Sequence, residues 1–170
     1  MAGLDEVTGT PGVMGFCLGG TLAWAVAAGG QPSVCVSYYG SGVPQMLDQI
    51  DNVTCPTLFH FGNADAYIPN EGVEAINAAI NRLDRFVLNV ENAGHAFDNH
   101  ESEIFWNESA ANAAWAKTMA FLAEHLPPDG RVSGRRRRAR GAARSRTGRS
   151  VSRPGRRSTR SPGHRRCRHR

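Results

Sequence analysis

Val13-Met14-Gly15-Phe16-Cys17-Leu18-Gly19-Gly20 is the stretch that decides the fold. Pro11 to Phe16 reads as a short buried strand and Leu18 to Ala28 as a helix, so the chain turns sharply from strand to helix through Gly-x-Cys-x-Gly. A side chain on such a turn is presented above the sheet. Gly15 and Gly19 are expected to remove the Cβ atoms that would collide where strand and helix approach. Cys17 then stands at a helix N-terminus, where the dipole and the free backbone N–H groups favour a thiolate. The N–H of Leu18 points into the same space as a candidate oxyanion donor. A free cysteine is more often a small buried filler, and Cys35 and Cys55 fit that role. The two glycines and the strand-to-helix switch set Cys17 apart.

Outward from this turn, apolar segments alternate in type. Ser33 to Tyr39 and Thr57 to Gly62 read as strands, Glu71 to Leu83 as a helix, Arg85 to Val90 as a strand, and Glu108 to Leu126 as a helix. Such alternation predicts an α/β fold with a parallel sheet flanked by helices. In the helix from Glu71, Asn70 is the expected N-cap, and Val73, Ile76, Ile80 and Leu83 share one face. In the last helix Ala111, Trp115, Thr118, Met119, Leu122 and Leu126 recur at three- and four-residue steps, which predicts its buried face. The first strand starts almost at the N-terminus with nothing before it to pair with. An open apolar edge follows, and the chain reads as half of a larger domain. Pro127-Pro128-Asp129-Gly130 ends the last helix, which divides the chain into an α/β unit, 1–130, and a tail, 131–170.

Two further residues belong with Cys17. Asp65 follows the Thr57 to Gly62 strand and His95 follows the next one, in the loops where α/β folds carry function. An Asp in such a loop is by itself more often a turn former. Nucleophile, acid and histidine in that chain order, each beyond its own strand, point jointly to a catalytic triad. His60, inside an apolar strand, reads as a core histidine. His95, His100, Glu101 and Glu103 lack metal-ligand spacing, so no metal is expected. Tyr38 and Tyr39 either line the pocket or pack beneath it, and the sequence leaves that open.

From about Gly12 to Leu126 the chain resembles the C-terminal half of the dienelactone hydrolase family of α/β-hydrolases. The resemblance rests on Gly15-Phe16-Cys17-Leu18-Gly19-Gly20, Val36-Ser37-Tyr38-Tyr39-Gly40, Cys55-Pro56, and His60-Phe61-Gly62 with Asp65 and Pro69. Ala93-Gly94-His95-Ala96-Phe97 and the Trp115 to Leu126 helix complete it. It implies Cys17 as nucleophile, His95 as general base and then acid, and Asp65 as the residue orienting the imidazole. The implied reaction is carboxymethylenebutenolidase-like: hydrolysis of a lactone or small ester through a thioester, with no cofactor. Two departures stand out. The family's N-terminal half, which bears a second oxyanion donor and part of the substrate-carboxylate site, has no counterpart here. Downstream of His95 stands Asp98-Asn99, where well-characterised members carry an arginine for that carboxylate.

Charge divides the chain as composition does. All 15 acidic residues lie before position 131 with only Arg82, Arg85 and Lys117 to offset them, so the net charge of +5 describes neither part. The tail, rich in Arg and free of Lys, acid, Phe, Trp and Tyr, is expected to be disordered. One reading makes it an electrostatic tether, and the whole a non-catalytic nucleic-acid-binding protein. The other, favoured by the abrupt junction, is a shifted reading frame in GC-rich coding DNA. No apolar run has membrane-spanning length, no basic apolar leader opens the chain, and Cys17, Cys35, Cys55 and Cys167 form no C-x-x-C pair. A reducing cytoplasm, a small-molecule ester or lactone partner and no membrane partner are expected.

Overall fold

A computed structural model describes residues 9–126; the tail and the boundary expected at 130 lie outside the described residues. The elements in order are β1 (Val13–Phe16), α1 (Leu18–Gly29), β2 (Cys35–Tyr38), a kinked 3-10 segment (Val43–Asn52), β3 (Thr57–Gly62), α2 (Asn70–Ile80), β4 (Phe86–Glu91) and α3 (Glu108–His125). The four strands form one parallel sheet in the order β1-β2-β3-β4. Every expected strand and helix is present. The 3-10 segment is the addition: Pro44 near its start suits a first turn, and the fully buried Trp24 indole N–H donates to the Met46 carbonyl at 3.2 Å where the segment kinks.

Burial follows position in the sheet. β2 and β3 are buried along their whole length, whereas β1 and β4 are buried only in part. β1 is the edge expected from the sequence, and its Met14 and Phe16 are 42% and 38% exposed. Alternation along β3 sends Phe59 to one face and His60 to the other. Trp24 of α1 packs on Phe59 at 5.3 Å between ring centroids, and Thr118 of α3 meets His60, so α1 and α3 cover opposite faces.

Two details differ from expectation. The second helix starts one residue early: Pro69 is its N-cap, its carbonyl accepting from Gly72 N at 2.9 Å, and Asn70 is already helical. Val73, Ile76 and Ile80 do form its buried face. The larger difference is the orientation of α3. Of the expected stripe it buries Ala111 and Thr118, joined by Ala110, Ala114 and Phe121, while Trp115 and Met119 are 45% and 49% exposed. Small residues let α3 approach the sheet closely enough for the Thr118 hydroxyl to bond both Tyr38 Oη (2.7 Å) and His60 Nε2 (2.9 Å). Satisfying those buried polar atoms rotates the bulky residues outward. Among the described residues no helix is long and apolar enough to cross a membrane.

Candidate active site

The turn after β1 is built as the motif requires, with one correction. Cys17 adopts φ 54° and ψ −119°, a conformation costly for a residue with a side chain. Its N–H donates to the Tyr38 carbonyl at 3.0 Å, and its own carbonyl accepts from Gly20 N at 2.9 Å, which locks the turn between β2 and α1. A Cβ on Gly15 would overlap the Gly19 carbonyl, so only glycine fits there. A Cβ on Gly19 would meet nothing within 4 Å, so the collision expected at Gly19 is not what selects it. Leu18 opens α1, and like other first-turn amides its N–H has no acceptor within the helix.

His95 and Asp65 arrive from the C-terminal ends of β4 and β3. His95 Nε2 lies 3.2 Å from Cys17 Sγ, and His95 Nδ1 lies 2.7 Å from Asp65 Oδ2. The Asp65 side chain is fully buried, and its second oxygen accepts from Tyr67 N at 2.8 Å and Ile68 N at 3.1 Å. One carboxylate therefore both forms the turn and bonds the imidazole. The His95 ring packs between Tyr39 and Tyr67, at 5.3 and 4.9 Å between centroids.

Backbone strain gathers at this place. The described non-glycine residues with positive φ are Cys17, Tyr39 and Ala96, and all three line one cavity of about 440 Å³ beside the thiol. Phe16, Asp98 and Glu101 line it too. Tyr39 thus faces the pocket, while Tyr38 lies wholly buried beneath it. Burial pushes the Tyr38 hydroxyl up to about 12; burial, and then the Asp98 carboxylate, push Tyr39 up as well, so both phenols stay protonated at neutral pH. Burial also raises Asp98 from its ordinary carboxylate value, with His100 opposing it. The sequence marks Asp98 only as a departure from the family's arginine and Glu101 only among residues without metal-ligand spacing; the fold of the 96–101 loop brings both beside Cys17.

The remaining sequence candidates fall elsewhere. His60 is a satisfied core histidine: Asn89 Nδ2 donates to its Nδ1 at 2.9 Å, and its Nε2 bonds Thr118. Burial, then the Lys117 cation, lower it from 6.5 to about 4. Cys35 and Cys55 are buried, and burial pushes the Cys35 thiol up to about 12. His100 and Glu101 join the cavity wall, and no group of three potential ligands among the described residues is placed to hold a metal.

A parallel sheet with a cysteine on its strand-to-helix turn, and an aspartate and a histidine on the turns beyond later strands, defines an α/β-hydrolase-type fold. The sequence profile of the Dienelactone hydrolase family matches residues 4–126, and the chain belongs to that family. It is 36% identical over 115 residues to the carboxymethylenebutenolidase of a Pseudomonas species, covering 68% of this chain and 48% of that one. Carboxymethylenebutenolidase 1 of Cupriavidus pinatubonensis is 32% identical over 115 residues, covering 68% and 49%. A solved structure from Klebsiella pneumoniae subsp. pneumoniae that bears a provisional dienelactone hydrolase name superposes with a TM-score of 0.58 at 27% identity, covering 65% of this chain and 50% of that one. The chain spans about half the length of the relatives it matches.

Proposed function

We propose that the protein is a hydrolase of small esters or lactones that works through a covalent thioester on Cys17. The observation that carries this reading is the continuous contact Cys17 Sγ to His95 Nε2 (3.2 Å) and His95 Nδ1 to Asp65 Oδ2 (2.7 Å). His95 takes the thiol proton as sulfur attacks the carbonyl carbon, and Asp65 holds the imidazole and stabilises the resulting imidazolium. The negative charge developing on the carbonyl oxygen is met by the Leu18 N–H at the start of α1. Collapse breaks the carbon–oxygen bond, and the departing alkoxide takes the proton back from His95. Water then gives its proton to His95 and attacks the thioester, releasing the acid and restoring the thiol as His95 returns the proton. The free Cys17, Cys35 and Cys55 suit a reducing cytoplasm.

Intact-mass spectrometry after brief exposure to 4-nitrophenyl acetate tests the proposal. The expected result is a single acetyl adduct that maps to Cys17, turns over with time, is missing in Cys17→Ala and forms far more slowly in His95→Ala. Equal labelling of Cys35 and Cys55, or no adduct, would overturn it.

A further inference from the structure

The cavity beside Cys17 has a one-sided chemistry. Phe16 and Tyr39 supply aromatic wall, and the 98–101 loop supplies two carboxylates, Asp98 and Glu101. Asp98 is partly buried, and the His100 imidazole favours its ionised form. The described arginines and lysine all lie elsewhere. Arg85 donates to the Val53 and Ile50 carbonyls at 2.7 and 3.3 Å, and Arg82 lies beside it in the loop before β4, at the opposite end of the sheet. Lys117 is bound to Asn89 and to Glu91, the latter at 2.8 Å. A carboxylate entering the cavity would thus meet like charge, with no described Lys or Arg lining it to receive it. A positive group would offset Asp98 and rest against the aromatic faces of Phe16 and Tyr39.

We propose that this cavity selects esters or lactones whose group beside the reacting carbonyl is uncharged or positively charged, with Asp98 as the specificity-determining residue that turns carboxylate-bearing molecules away. The proposal rests on the hydrolase reading for its substrate, and the charge of the cavity can be read apart from hydrolysis. Iodoacetamide and iodoacetate are near-equal in size and differ by one negative charge. Each alkylates a thiolate in one step, the sulfur–carbon bond forming as iodide leaves.

The test compares both reagents at Cys17 of the full chain by mass spectrometry, with 2-mercaptoethanol as the reference thiol. At low ionic strength the iodoacetamide-to-iodoacetate rate ratio at Cys17 is expected to exceed that of the reference by about tenfold. Asp98→Asn should reduce that excess several-fold, while Asp84→Asn, at the far end of the sheet, leaves it unchanged. An excess no larger than twofold, or one that Asp98→Asn does not move, overturns the proposal. The same ordering should appear in Cys17 acylation, 4-nitrophenyl butyrate and 4-nitrophenyl 4-(trimethylammonio)butyrate outpacing 4-nitrophenyl hemisuccinate. Acylation without that ordering overturns the charge selection alone. Charge-selective alkylation with no acylation by any ester overturns the hydrolase reading and, with it, the substrate assignment.

Discussion

Replacing His60 by glutamine should flatten the acid sensitivity of the fold. His60 spans the interior between β3 and α3, accepting from Asn89 at Nδ1 and bonding Thr118 through Nε2. Burial, then Lys117, hold it at about 4, against an ordinary value of 6.5. The folded state disfavours the imidazolium, so between these two values the unfolded chain binds more protons. The contribution of neutral His60 is complete above pH 6.5 and is lost as pH falls toward about 4. At ~1.36 kcal/mol per unit the whole shift amounts to roughly 3 kcal/mol, of which about 2 kcal/mol is gone by pH 5. That is a large share of the roughly 5–15 kcal/mol stability of a typical domain. Urea unfolding followed by circular dichroism at pH 7.5 and 5.0 measures it for the native chain and for His60→Gln, whose amide can still reach Thr118. The native chain should lose about 2 kcal/mol more than the variant over that interval. Parallel losses would refute the claim that a neutral, desolvated imidazole supports this sheet.

Asp65→Asn should slow formation of the Cys17 acyl adduct by about 10²- to 10⁴-fold, because an amide no longer favours the proton on His95 Nδ1 and the imidazolium loses its partner; stopped-flow release of 4-nitrophenol checks it, and a change under threefold would be inconsistent. The orientation of α3 predicts opposite sensitivities on adjacent residues. Ala114→Leu, at a fully buried position, should cost about 1–3 kcal/mol, whereas Trp115→Ala, at a half-exposed one, should cost within about 0.5 kcal/mol, both by urea unfolding.

What the amino-acid sequence determined by itself is the order and type of the elements and the choice of Cys17, Asp65 and His95 as the candidate triad. These are local properties. A strand-to-helix turn written Gly15-x-Cys17 needs a glycine where a Cβ would strike the following helix, and the mainly apolar runs of β2 and β3 match strands that are buried along their whole length. The loop positions of Asp65 and His95 likewise follow from the strands just before them. The tertiary structure alone decided which face of α3 turns inward, how Tyr38 and Tyr39 divide between core and pocket, and which residues wall the cavity. Apolar periodicity favoured Trp115 and Met119 as the buried stripe. It weighs hydrophobic area, whereas the packed helix is oriented by two buried polar atoms that need Thr118, on strands far away in the chain. Asp98 shows in the sequence only as a departure from the family's arginine, and Glu101 lies in no motif. They line the cavity beside Cys17 because of how the loop after His95 folds, where Ala96 takes φ 52°, a proximity that no spacing along the chain records.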